Sequence, residues 1–240
     1  MKLDVLFSPV QADELFFTGK TTVVIDVLRA SSTIITALSN GAKEIVPVGT
    51  VEFAVKVSGG IFGGQTLLGG ERNTKKIEGF ALGNSPSEYT TEIVSGKSIV
   101  FYSTNGSRAI VKAKYSTNLF LCSFNNLNVV AKHLKKLNED VIILCSGNNN
   151  FFNLEDSVCA GMLINEMSAG NKKTELTDSS TSAMTLFKAF GKNIFKMLSE
   201  TDHGRLLINN GFEADLKACA ELDSTDVIPF YAGNILKVLK

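Results

Sequence analysis

The stretch VVIDVLRASSTIITAL, residues 23–38, sets an acid, an arginine and three hydroxyls between two apolar runs. Val23, Val24 and Ile25 read as a buried strand, and Ile34, Ile35, Ala37 and Leu38 as one face of a helix. Asp26, Arg29, Ser31, Ser32 and Thr33 therefore fall where a strand hands over to a helix. Ligands of open α/β sheets bind beyond the carboxyl ends of strands, and a helix N-terminus offers unpaired N–H groups and a positive dipole to an anion. The alternative makes the serines helix caps and pairs Asp26 with Arg29. Local sequence leaves both open.

The design recurs. STNGSRA (103–109) follows the apolar SIVFY and places Asn105, Ser107 and Arg108 at the junction. CSGNNNFFNLEDS (145–157) follows VIILC, with Asn153 as a candidate cap ahead of Glu155 and Asp156. Acids in a first helical turn are ordinary dipole partners. Even so, Asp26, Glu71, Glu155 and Asp156 are the acids expected to approach one sheet edge. Carboxylates beside arginines suit Mg²⁺ and a phosphate ester, because Mg²⁺ commonly joins one or two carboxylates to substrate phosphate.

Of the 24 Lys and Arg residues only Arg29, Arg72, Arg108 and Arg205 are arginine, each among small or polar neighbours (VLRASS, GERN, NGSRA, DHGR). The guanidinium fork grips phosphate, sulfonate or carboxylate through two parallel hydrogen bonds, so these contexts point to an anion pocket. Of the two histidines, His133 in AKHLKKL is expected on a helix surface. His203 in TDHGR is expected at a turn, as the better general acid or phosphate donor.

Three look-alikes fail. TGKTT (18–22) lacks the first glycine of a phosphate loop, Glu14 standing there, and precedes a strand rather than a helix. GGIFGG (59–64) has the wrong spacing for a dinucleotide fingerprint. IDVLR holds one aspartate and lacks the second acid of the haloacid-dehalogenase phosphatase pattern.

Six short apolar runs must position these residues: 3–7, 22–27, 44–48, 98–102, 118–122 and 141–145. They suit strands buried on both faces. Helical patterns lie between or after them at 31–41, 105–114, 125–137, 153–170 and 181–200. Strand–helix alternation predicts an α/β fold with a mostly parallel sheet and helices on its faces. Residues 32–55 and 107–130 both run helix, strand, turn, helix, which suggests a duplicated βαβ unit. Gly59 to Tyr89 is glycine-rich with little periodicity and reads as an ordered, functional loop. No linker is evident, so residues 1–240 are taken as one compact unit, with interlocked halves of about 1–95 and 96–240.

Hydrophobic residues make up 44% of the chain and the net charge is zero, which argues against a nucleic-acid binder driven by bulk charge. The N-terminus does not read as a signal peptide, and no apolar run is long enough for a membrane helix. Cys122, Cys145, Cys159 and Cys219 form no CxxC pair and are expected as buried free thiols in a reducing cytoplasm. A homo-oligomer is compatible with the sequence.

DVLRASSTIITALSNGA, GER, GFALGNSPSEY, GKSIVFYSTNGSRA and SGNNNFFNLEDSVCAG occur in this order, followed by HGRLL and GFEADLKACAELDSTDVIP. Together they resemble the 2-phosphosulfolactate phosphatases over Asp26 to Pro229. The resemblance implies a three-layer α/β/α fold with intertwined halves. It also implies Mg²⁺-dependent hydrolysis of 2-phospho-3-sulfolactate to 3-sulfolactate, a reaction linked to coenzyme M biosynthesis. NTKK after GER, and Ala81 within GFALGNSP, depart from the pattern expected of that family.

The expected catalytic set is Asp26, Arg29, Arg108 and His203. Asp26, Glu71, Glu155 and Asp156 are expected at the metal, Arg29 and Arg108 with N–H groups near Ser31 and Ser107 on phosphate, and Arg72 and Arg205 on carboxylate and sulfonate. Ser32, Asn84, Ser85, Asn105 and Gly106 complete the candidate substrate-binding set. The residues alone leave two rivals open. One is a non-catalytic anion sensor; the other is a different phosphoryl-transfer or nucleotide-binding enzyme.

Overall fold

A computed structural model describes residues 1–60, 66–170 and 173–239. The glycine cluster at 59–64 falls mostly outside them. In chain order the elements are β1 (Lys2–Leu6), β2 (Thr21–Ile25), α1 (Ala30–Ser39), β3 (Glu44–Val48), α2 (Val51–Gly60), β4 (Thr66–Arg72) and β5 (Lys75–Lys76). Next come α3 (Thr91–Val94), β6 (Ser98–Tyr102), α4 (Gly106–Lys112), β7 (Asn118–Cys122), α5 (Leu127–Leu137), β8 (Val141–Cys145), α6 (Leu154–Ser168) and β9 (Glu175–Leu176). The chain ends with α7 (Asp178–Phe190), α8 (Ile194–Glu200), α9 (Asp202–Asn209), α10 (Glu213–Ala220), β10 (Pro229–Ala232) and β11 (Ile235–Val238).

The strands form one mixed sheet in the order β5-β4-β6-β3-β11-β10-β7-β2-β8-β1-β9. β4, β6 and β3 run parallel to one another, as do β7, β2, β8, β1 and β9. The antiparallel hairpin β10–β11 joins the two parallel blocks through single pairings, Phe230 with Phe120 and Leu236 with Ile45. Strand residues alternate between two cores. Val24, Leu119, Leu121 and Leu144 face Ile45, Ile99 and Phe101 across the buried side of α1 and α4. Val23, Ile25, Phe120, Cys122, Ile143 and Cys145 face α5, α6 and the later helices. Val46, Val48, Val100 and Tyr102 pack towards α2. Each parallel block therefore has helices on both faces, the α/β/α layering expected, with α1 and α4 as a layer common to both. Because the sheet wraps those two helices, the carboxyl ends of β2, β4, β6 and β8 meet in one place.

Three expectations need correction. The helix expected over 181–200 is two helices: Gly191 ends α7, and the Asn193 side chain accepts from Lys196 N–H to start α8. The loop expected from Gly59 to Tyr89 holds the whole of β4 and a hairpin to β5. Gly70 gives the reason that this strand lacked a strand signature. It lies so close to β6 that a Cβ would overlap the Tyr102 carbonyl, so the position excludes any side chain. His203 lies in the first turn of α9, not at a turn outside a helix, and the Thr201 hydroxyl caps that helix through Gly204 N–H.

Candidate active site

A pocket of about 220 Å³ opens beyond the four strand ends. Asp26 follows β2, Glu71 lies at the end of β4, Ser103, Thr104 and Asn105 follow β6, and Asn148 and Asn149 follow β8. Arg29, Asn73, Thr74, Asn84 and His203 complete most of the wall. Larger clefts of about 460 and 560 Å³ lie elsewhere, but neither gathers an arginine with buried acids.

Asp26 is buried at the start of α1. Its Oδ1 accepts from Ala30 N–H at 3.1 Å, its N–H donates to Ser31 Oγ at 3.0 Å, and its carbonyl accepts from Ser31 N–H at 2.9 Å. Thr33 N–H is taken by the Arg29 carbonyl at 2.8 Å. At α4, Ser107 N–H is taken by Ser103 Oγ at 2.9 Å. The N–H groups of Ser31, Thr33 and Ser107 are thus taken within the chain, so any donors for phosphate at these helix starts are their neighbours and not these three. The serines are not N-caps either: Ser31 lies inside the helix, and Ser32 Oγ donates to the Val27 carbonyl.

The neighbouring acids are just as firmly held. Glu71 Oε1 accepts from Thr104 N–H at 2.7 Å, and Oε2 accepts from Thr74 N–H at 2.8 Å. Asp156 accepts from Val27 N–H through Oδ1, and from Ser146, Gly147 and Asn153 through Oδ2. Burial, followed by the charges of Asp156 and Glu71, pushes the Asp26 carboxyl up to about 8. Burial and then Asp156 push Glu155 up to about 8. Burial raises Asp156 less, to about 6, because its four hydrogen bonds favour the anion. His203 goes the other way: burial and then the Arg29 charge hold it below the usual imidazole value.

Arg29 is 2% exposed and does not pair with Asp26. Its Nη1 donates to Asp215 Oδ2 at 2.6 Å and to Ser85 Oγ at 3.4 Å, while Nη2 donates to the Thr74 carbonyl at 2.8 Å. The guanidinium lies 4.3 Å from the centre of the Phe212 ring. Nε and one Nη2 hydrogen are left for a ligand.

Among the expected residues the structure thus brings Asp26, Arg29, Glu71, Asn84, Asn105 and His203 to one pocket. Asp156 stands behind Asp26, and Glu155 faces an adjoining cavity of about 250 Å³ that also touches His203 and Asn148. Ser85 braces Arg29. The other arginines are not gathered. Arg72 is exposed, Arg108 is exposed on an adjoining cleft that shares Thr104 and Asn105 with the pocket, and Arg205 is exposed and paired with Asp202 on α9. Sequence reasoning missed Asp215, Thr74 and the asparagines at 73, 148 and 149. Asp215 lies in an ordinary amphipathic helix, and nothing local marks its partner 186 residues away. Asn73 and Thr74 adopt φ of 53° and 69°, the left-handed turn that NTKK makes without glycine.

The four acids do not form a ready metal cage: among the described residues no three His, Cys, Asp or Glu side chains converge suitably. Asp156 is saturated by its donors. Asp26 and Glu71 remain at the pocket, Asp26 raised by burial and then by its neighbouring carboxylates, while the nearby buried cation Arg29 already faces Asp215. That imbalance fits one hard cation held by one or two carboxylates, with water and substrate oxygens completing its shell.

The 2-phosphosulpholactate phosphatase family model matches residues 7–234. A Clostridium acetobutylicum protein named probable 2-phosphosulfolactate phosphatase is 39% identical over 237 residues, covering 98% of this chain and all of its own. Proteins of the same name from Symbiobacterium thermophilum and Caldanaerobacter subterraneus are 40% and 38% identical. The first covers 95% of this chain and 97% of its own, the second 91% and 90%.

Proposed function

The chain belongs to the 2-phosphosulpholactate phosphatase family, and we propose that it hydrolyses the phosphate monoester of 2-phospho-3-sulfolactate, or a close 2-hydroxy-acid phosphate, using Mg²⁺. The observation that carries this reading is the meeting of Asp26, Glu71 and Arg29 in one small pocket beyond the strand ends. A three-carbon polyanion suits that volume, and the pocket's amides offer neutral donors to its remaining oxygens.

Asp26 and Glu71 would hold Mg²⁺, which supplies Lewis-acid stabilisation of charge on the phosphoryl and leaving oxygens. Arg29 directs its free N–H edge at a phosphoryl oxygen. A water oxygen bonds to phosphorus, the bond from phosphorus to the substrate's C2 oxygen breaks, and one proton of the water ends on that oxygen. His203, neutral at pH 7, is the pocket group able to exchange that proton with the reacting oxygens. Asn84, Asn105, Asn148 and Asn149 hold the organic part. The free buried cysteines support a cytoplasmic setting.

Inorganic phosphate release from synthetic 2-phospho-3-sulfolactate, with Mg²⁺ and then with EDTA, tests the reading. Release that needs the metal supports it. Phosphate binding without release under any metal condition replaces it with an anion-binding protein. Phosphate ester formed with an added alcohol would replace it with a transferase.

A further inference from the structure

Asp215 stands on α10, far from Arg29 in the chain, yet their side chains meet with 4% and 2% exposure. Asp215 Oδ2 accepts from Arg29 Nη1 at 2.6 Å and from Ser85 Oγ at 2.7 Å. The Phe212 ring, one turn earlier, covers the guanidinium face. The Thr74 carbonyl fixes Nη2, and Thr74 is itself tied to α9's end, since Asn210 Nδ2 donates to its Oγ1 at 3.0 Å. Three separate parts of the chain, α10, Ser85 and Thr74, thus fix the plane and rotation of one arginine. Nη1 and one Nη2 hydrogen are spent on these partners, while Nε and the other Nη2 hydrogen have none among the described residues, and Arg29 lines the pocket.

Charge as well as geometry is set. A carboxylate in contact with a buried guanidinium cancels most of its field. Arg29 then acts on a ligand anion as an oriented pair of N–H donors more than as a free positive charge. Thr74 couples this to the acids, for its N–H donates to Glu71 while its carbonyl accepts from Arg29.

We propose that Asp215 is the positioning residue of this site: it fixes the Arg29 fork in its productive orientation and tempers its charge so that phosphate is oriented without being held too tightly. The proposal rests on the reading of Arg29 as the phosphate-gripping cation. Asp215→Asn keeps the size and an oxygen acceptor but removes the charge. In that variant inorganic phosphate should bind roughly 10-fold tighter by calorimetry, while kcat falls by about 10-fold and KM does not rise. Ser85→Ala, which strips a donor from Asp215 Oδ2 without exposing a buried charge, should move kcat the same way by a smaller factor. It serves as the deciding variant if Asp215→Asn does not fold. A folded Asp215→Asn, or failing that a folded Ser85→Ala, with unchanged phosphate affinity and kcat and only a lowered melting temperature would overturn the proposal. Phosphate calorimetry needs no turnover. A chain that binds phosphate in an Asp215-dependent way but hydrolyses nothing would therefore count against the hydrolase reading and not against this one.

Discussion

A Cβ placed on Gly106 would stand 2.4 Å from Oδ2 of Asp26 and 2.5 Å from the Ala30 methyl. The first residue of α4 must be glycine because the acid at the head of α1 occupies its side-chain space. Gly106→Ala should push the Asp26 carboxylate aside. Overpacking of this kind costs about 1–3 kcal/mol, and a misplacement near 1 Å can lower turnover by roughly 10²-fold. Thermal unfolding and steady-state kinetics on the purified variant check both. Unchanged kcat in a folded Gly106→Ala protein would remove Asp26 from the reacting centre.

The raised carboxyl of Asp26 makes stability depend on pH. Its unfolded value is 3.8 and its folded value about 8, so the folded state holds the extra proton. The stabilisation is complete below the unfolded value and is lost as pH rises through the folded one. In EDTA, wild-type protein should therefore melt progressively lower as pH rises towards about 8, and Asp26→Asn should lose part of that dependence. At alkaline pH the variant should melt above the wild type. Parallel melting curves across the pH range would show that Asp26 is ionised throughout.

His203 is depressed by burial and by Arg29, so it is neutral at pH 7 and its protonation lies below the usual 6.5. His203→Gln should lower kcat on an alkyl phosphate by roughly 10²-fold, with less loss on an aryl phosphate whose leaving oxygen needs no proton. It should also displace the acid limb of the kcat/KM profile. Equal losses on both substrates with an unmoved limb would reduce His203 to a wall of the pocket.

The arginines should separate sharply. Arg29→Lys replaces a fork by a point charge and strands Asp215 and the Thr74 carbonyl, so it should lower kcat/KM by about 10²-fold or more. Arg205→Ala removes an exposed pair with Asp202 and an exposed hydrogen bond to the Glu200 carbonyl, and should leave kinetics and stability within about 0.5 kcal/mol of wild type. Kinetics in which Arg205→Ala matches Arg29→Lys would place a second cation at the substrate.

The residues show why part of this was readable in the chain. Strands such as EIVPV, SIVFY and VIILC announce themselves because burial on both faces demands unbroken apolar runs, and their observed bounds match. Asp26 and Asn105 could be named because each sits just beyond the carboxyl end of such a strand, whereas Glu71 was named within a stretch read as a loop. β4 was obscured because Gly69 leaves room for the Tyr89 hydroxyl and Gly70 for the Tyr102 carbonyl, which erases the side-chain pattern. The partners of Arg29 were invisible for another reason. A buried ion pair between α1's start and α10 is a product of tertiary packing, and Asp215 alone looks like any acid of a helix's first turn. The same limit misplaced Arg205: residue type and small neighbours suggest a fork in a pocket, but helix phase turns it to solvent.

The most direct measurement is phosphate release from 2-phospho-3-sulfolactate by wild-type and Asp26→Asn proteins, both shown to be folded, with Mg²⁺ present. Catalytic release by the wild type, abolished by EDTA and by Asp26→Asn, is the expected result. Turnover that survives in Asp26→Asn, or that proceeds equally well in EDTA, would contradict the account.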